Sequence, residues 1–128
     1  MQFSTRGEYS LRAAVNLAGC YPIKKNLKLI SKEEGISVKY LERLMSELRR
    51  GNIVRSIKGK NGGYVLNYNP KDIKVGEIIE SAEGPVLVKC YGTKCKKMHN
   101  CPSSLVWMKL GEQIKKTLYS IRLSDLIK

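Results

Sequence analysis

Ser37-Val-Lys-Tyr-Leu-Glu-Arg-Leu-Met-Ser-Glu-Leu-Arg-Arg-Gly51, followed by Ile53-Val-Arg-Ser-Ile-Lys-Gly-Lys-Asn-Gly-Gly-Tyr-Val-Leu66, is the stretch whose reading decides the fold. Ser37 is a good N-cap, Val38, Leu41, Leu44, Met45 and Leu48 recur at helical intervals as one apolar face, and Gly51 closes the segment. Ile53 to Ile57 alternates as a strand. Lys58 to Gly63 is a glycine-rich turn, and Tyr64-Val-Leu66 returns, so a β-hairpin follows the helix.

Upstream, Thr5-Arg-Gly-Glu8 has the spacing of a capping box, and Leu11, Ala14, Val15 and Ala18 continue at helical period, predicting a helix over about residues 6–20. Tyr21-Pro22 ends it. Leu27, Leu29 and Ile30 lead into a short second helix, Ser31-Lys-Glu-Glu34, stopped by Gly35. Helix, glycine-containing turn and helix form a helix-turn-helix, and the hairpin that follows makes it a winged one. The expected fold class is mainly α with a small β-hairpin.

A 3.6-residue turn places Lys39 and Arg43 away from the apolar face of the third helix, with Ser37 and Tyr40 near its start. Arg and Lys read guanine edges in a major groove, and hydroxyls bond bases or phosphates. From Arg49 to Lys60 there are five bases (Arg49, Arg50, Arg55, Lys58 and Lys60) and no acid, so the wing is suited to phosphates or an adjacent minor groove. Glu42 on the same helix reads first as a local ion-pair partner for Lys39, Arg43 or Arg49. Its alternative role is to accept from a cytosine amine.

Composition supports a polyanion partner. The 128 residues hold 24 Lys and Arg against 11 Asp and Glu, a formal net charge of +13. Such an excess is rewarded by the counterions that phosphate binding releases. Neither a basic-then-apolar leader nor an apolar run of about 20 residues is present, so the expectation is a cytoplasmic chain outside any membrane. There is one histidine and neither a Gly-x-Ser-x-Gly nor a Gly-x4-Gly-Lys-Ser/Thr signature, which disfavours an enzyme. Helix-turn-helix and wing fit duplex DNA better than the splayed bases of RNA.

Further along, Asn69-Pro70 reads as a turn and Val75 to Glu83 as a short helix ended by Gly84-Pro85. Then comes Cys90-Tyr-Gly-Thr-Lys-Cys95-Lys-Lys-Met-His-Asn-Cys101, with three of the four cysteines. Clustered cysteines in a reducing compartment point to a metal or to redox thiols, and a Cys-x4-Cys-x5-Cys spacing leaves that choice open. Cys20 stands apart as a small buried residue. Pro102 suits the first turn of a last helix, whose stripe of Leu105, Val106, Met108, Leu110, Ile114, Leu118 and Ile121 is long enough to want a partner chain. Part of that stripe can instead fold back on its own winged domain. The resulting division is 1–84 for DNA binding, 85–101 for the cysteine loop and 102–128 for dimerisation with a terminal turn.

Met1-Gln-Phe-Ser-Thr-Arg-Gly-Glu-Tyr-Ser-Leu-Arg-Ala13, Ile36-Ser-Val-Lys-Tyr-Leu-Glu42, Gly59-Lys-Asn-Gly-Gly-Tyr64 and Val75-Gly-Glu-Ile-Ile79 resemble, in that order, the bacterial winged-helix regulators of the IscR, NsrR and CymR type. The resemblance implies a homodimeric transcription factor on a roughly palindromic operator, with Ser37, Lys39, Tyr40 and Arg43 on its recognition helix and Lys58 to Lys60 at its wing. Lys60 stands where the iron-sulfur members commonly have proline. By the same resemblance Cys90, Cys95 and Cys101 are ligands of an iron-sulfur cluster, either 2Fe-2S or 4Fe-4S. The fourth ligand of the IscR type, a histidine, is replaced here by Ser104. The NsrR type uses an aspartate on the first helix of the partner chain, which corresponds to Glu8, and His99 is the local alternative. A signal such as an oxidant, nitric oxide or iron shortage would then alter operator binding. Zinc or reversible thiol chemistry in place of the cluster, or control by a bound metabolic enzyme, are the competing expectations.

Overall fold

The computed structural model describes residues 4–85 and 102–127. Its elements run α1 (Thr5–Cys20), α2 (Leu27–Glu34), α3 (Val38–Arg50), β1 (Val54–Ile57), β2 (Gly63–Leu66), α4 (Val75–Glu83) and α5 (Ser104–Ser120), with short 3-10 turns at Pro70–Asp72 and Leu123–Leu126. Cys90, Cys95, His99 and Cys101 lie outside the described residues.

α1 does not use the expected capping box. Thr5 is already helical and the N-cap is Ser4, whose side chain makes no cap bond. Ser4 instead donates its backbone N–H and its hydroxyl to the carboxylate of Glu83, the last residue of α4. A carboxylate from 79 residues away therefore supplies the negative charge that a helix N-terminus favours. α2 starts four residues earlier than the sequence pattern suggested, because the Asn26 side chain accepts from the Leu29 N–H at 2.8 Å and caps it. It ends at Gly35, whose φ of 69° is open to glycine at little cost and turns the chain into the next helix.

α3 begins as expected, with the Ser37 hydroxyl accepting from the Tyr40 N–H at 3.2 Å. Leu41, Leu44, Met45 and Leu48 are fully removed from solvent and join Ala13, Ala14 and Leu17 of α1, Ile30 of α2, Val54 and Leu66 of the hairpin, and Ile78 of α4 in one core. Val38 does not belong to that face and is exposed. The hairpin is antiparallel, from Val54 opposite Leu66 to Ile57 opposite Gly63. A further rung comes from the segment before α2: Lys25 and Tyr64 exchange backbone bonds of 3.0 and 2.9 Å. The wing is thereby held to the start of α2 as well as to the end of α3.

The C-terminal residues close the fold. The Val75 N–H donates to Ile121 at 2.9 Å and the Leu123 N–H to Ile73 at 2.8 Å, and Leu123 is wholly buried in the core. Packing thus crosses the boundary drawn at residue 101. α5 starts at Ser104 with Ser103 at its N-cap, so Pro102 stands just outside the helix instead of in its first turn. Its last turn rests on α4: the Tyr119 ring lies against Gly76, where a Cβ would overlap it, and the Tyr119 hydroxyl donates to Glu80. Further up the stripe, Ile114, Leu118 and Ile121 are half-buried, whereas Leu105, Val106, Met108 and Leu110 are 41–60% exposed.

Two outcomes follow for this junction. Gly76→Ala should push the Tyr119 ring off α4 and cost about 1–3 kcal/mol in urea unfolding, the usual range for overpacking. Burial first, and then the hydrogen bond to Glu80, push the Tyr119 phenol up from 10.0 to about 12. A folded value above the unfolded one means a contribution complete below pH 10 and lost as pH rises through about 12. Stability should therefore fall more steeply over that interval in the wild type than in Tyr119→Phe, as followed by denaturant midpoint.

Candidate nucleic-acid interface

Because α3 buries Leu41, Leu44, Met45 and Leu48, the opposite side of the cylinder carries Lys39, Arg43 and Arg50, all exposed. Ser37 is exposed at its leading end and Arg49 at its trailing end. None of these cations has an ion-pair partner among the described residues. Glu42 is exposed and likewise forms no ion pair there, so the expected salt partnership with Lys39, Arg43 or Arg49 is absent from the described residues. The acid of α3 that does pair is Glu47, at 3.7 Å from Arg6, which links the first turn of α1 to the end of the recognition helix.

Tyr40 departs from the sequence reading. It is half-buried and packed against the core, its ring edge-on to Tyr9 with centroids 6.0 Å apart and planes at 76°. The Tyr9 ring in turn has the Arg12 guanidinium 5.2 Å from its centroid. The aromatic body of Tyr40 therefore braces α3 on α1 instead of standing clear of the apolar face. Helical periodicity alone misses this, since position 40 lies at the edge of the buried arc.

Arg55, Lys58 and Lys60 are exposed on the wing. Its root is fixed by Lys25, whose ammonium donates to Asn16 at 2.7 Å and to Glu33 at 2.8 Å. That bond, with a second from Asn16, holds the Glu33 carboxyl below its ordinary value. Between the wing and the start of α2 lies a cavity of about 230 Å³ lined by Lys24, Asn26, Lys60, Asn61 and Gly62. Sequence reasoning left Lys24 out; the Lys24-Lys25 pair directly before α2 was the available signal. Exposed cations on α3 and on the wing are of a kind that suits a groove and its flanking phosphates.

Glu8 sits in the first turn of α1, exposed, and its carboxylate has no partner among the described residues. It is free to ligate, and three thiolates with one carboxylate make a donor set compatible with iron. Among the described residues no group of three or more His, Cys, Asp and Glu could hold a metal. No helix among them is long and apolar enough to cross a membrane.

Recognition helix, wing and unpaired cations together define a winged helix-turn-helix DNA-binding protein. Residues 3–128 match the family model described as Rrf2, iron-dependent transcriptional regulator, and the chain belongs to that family. It is 34% identical to the HTH-type transcriptional regulator IscR of Vibrio atlanticus, over 100% of this chain and 76% of that one. Its fold is similar to IscR of T. potens (TM-score 0.81, 35% identity, 98% and 85% covered) and to CymR, the global cysteine regulator of B. subtilis (TM-score 0.79, 33% identity, 98% and 95% covered). The Vibrio relative is described as a transcriptional regulator and the B. subtilis structure as a global regulator.

Lys58→Ala and Lys60→Ala should each weaken binding to all duplex sequences alike and lower the dependence of log affinity on log salt by about one counterion, whereas Arg43→Ala should relax preference at one base pair. An unchanged salt dependence in both wing variants, read by fluorescence anisotropy across a salt series, would remove the wing from the interface.

Proposed function

We propose that this regulator works as a cytoplasmic homodimer on a roughly palindromic operator, and that the state of its cysteine loop sets how tightly it binds. The observation that carries the second half is the placement of α4. It packs on α1, α3 and α5, its last residue Glu83 holds the N-terminus of α1, and the loop segment begins directly after Gly84-Pro85. A change at the loop's root reaches α1 through Glu83 and reaches α3 through α4 itself and the Arg6–Glu47 pair.

Dimerisation is supported by the exposed stripe of α5. Leu105, Val106, Met108 and Leu110 are exposed apolar side chains at the head of α5, and a second copy related by a two-fold would cover them symmetrically. Two recognition helices related by such a two-fold read half-sites about 34–36 Å apart, one turn of duplex. Ser37, Lys39 and Arg43 act at base edges in this reading, the Tyr40 hydroxyl at the groove wall, and Arg49, Arg50, Lys58 and Lys60 at phosphates.

Cys90, Cys95 and Cys101 would hold an iron-sulfur cluster, with Glu8 of the partner subunit as the fourth ligand. Such a cluster supplies a centre whose charge and integrity depend on oxidants, nitric oxide and iron supply. The chain's own part is mechanical: thiolates anchor the loop, Glu8 ties it to α1 across the dimer, and Glu83 passes tension to the recognition helix. A differential of about 1.4 kcal/mol between two loop states changes operator affinity tenfold.

A second reading, reversible thiol chemistry without a cluster, is favoured by one observation. The fold is similar to CymR, and the S. aureus CymR, 28% identical, is described in an oxidized form. Zinc in the same thiolates, or control by a bound metabolic enzyme, belongs with this cluster-free reading.

Protein purified without oxygen should be coloured and contain iron and sulfide, and Cys90→Ala, Cys95→Ala or Cys101→Ala should bleach it, with Glu8→Gln lowering cluster retention. Colourless, iron-free protein after anaerobic reconstitution would contradict the cluster while leaving DNA binding intact, and a thiol titration that changes with peroxide would then support the second reading.

A further inference from the structure

Val38 is the residue of α3 whose placement departs most from its chemistry. Its side chain was expected on the buried stripe, yet it is 37% exposed while Leu41, Leu44, Met45 and Leu48 are at 0%. The other exposed residues of the helix are Lys39, Glu42, Arg43, Arg49 and Arg50, every one charged. A single exposed apolar side chain is ordinary on a protein surface, and Ile23 at 69% is one such. Val38 differs in where it stands. It is the first residue of the recognition helix, directly after the N-cap Ser37. Helical Cα–Cβ bonds tilt toward the N-terminus, so first-turn side chains lead the helix into whatever it enters.

In a major groove that leading end faces base edges, and the apolar group displayed there is the C5-methyl of thymine. The surrounding charge selects the occupant: Lys39 and Arg43 on the neighbouring face draw in a polyanion, and Val38 then meets the groove floor. We propose that Val38 is a base-reading residue that packs on a thymine methyl and so sets a preference for thymine beside the positions read by Lys39 and Arg43. The inference rests on α3 being the recognition helix. It assigns a specificity role to a side chain that carries no hydrogen-bonding group. It also distinguishes DNA from RNA at that position, because uracil lacks the methyl.

The test removes that methyl alone. A preferred duplex is selected from a random library with the wild-type chain, and each thymine, with its symmetry mate where the site is palindromic, is replaced by deoxyuridine. Wild type should lose about three- to fivefold in affinity per contacted methyl at one thymine position, the range for removing one buried apolar carbon. Val38→Ala should bind the thymine duplex weaker by a similar factor and lose nothing more on the deoxyuridine duplex, and Val38→Ile should retain the methyl dependence. Circular dichroism should show the variants folded, since the residue lies outside the core. The proposal is overturned if no thymine shows a methyl effect, or if Val38→Ala feels every deoxyuridine as strongly as wild type does. In both cases the wild type still binds its selected duplex, which keeps the DNA-binding reading intact. Failure to select any preferred duplex would overturn that reading and this inference together.

Discussion

Burial of one stripe of α3 is the constraint on which the rest depends. Leu41, Leu44, Met45 and Leu48 are all at 0% exposure, and each contributes about 1.5–3 kcal/mol by leaving water. Their partners on α1 include Ala13 and Ala14, whose small side chains let the two helices approach closely. A helix that buries one side so completely has no rotational freedom left. Lys39, Arg43 and Arg50 are therefore aimed outward by the core rather than by any contact of their own, and a leucine-to-alanine change in the stripe would disturb the interface and the fold together.

Around that fixed helix the other elements act as struts. The wing is held by its own ladder and by Lys25, so its lysines keep a set relation to the start of α2. α4 is the common support: Glu83 holds the N-terminus of α1, and Gly76 receives the Tyr119 ring at the end of α5. The C-terminal residues return to the core through Leu123, so α5 is anchored at one end with its apolar stripe open at the other. An open stripe on an anchored helix fits assembly with a second copy better than a separate C-terminal unit. The cysteine segment spans from the foot of α4 to the head of α5, between the part that reads DNA and the part proposed to pair.

Much of this was legible in the sequence because the periodicities are strong. The stripe Leu41-Leu44-Met45-Leu48 and the glycines of Lys58 to Gly63 each carry a local signal that tertiary context left unchanged, the strand expected at Ile53 to Ile57 forms from Val54 although Ile53 and Val54 are both buried rather than alternating, and the family matches agree with the resemblance these carry. The misses have a common cause, which is that the deciding partner is distant in sequence. Thr5 and Glu8 look like a capping box, but Glu83 takes that role from α4. Tyr40 looks outward by angle, but Tyr9 draws its ring inward. Val38 matches the heptad-like pattern of the buried face, yet at the first turn the described elements leave it 37% exposed. Asn26 was a local signal, and it was outweighed by reading Leu27 to Ile30 as a lead-in. Glu8 is exposed and unpartnered among the described residues, and the cysteines with which it is proposed to share a cluster lie outside them.

The proposal that the cysteine loop governs DNA binding is tested most directly by one comparison. The affinity of the full chain for its selected duplex is measured without oxygen, first in the iron- and sulfide-loaded state and then after the same preparation has been stripped. The expected result is a change of at least about tenfold, corresponding to roughly 1.4 kcal/mol of coupling between loop and interface. Equal affinities in the two states, with iron shown to be bound in the first, would contradict the account.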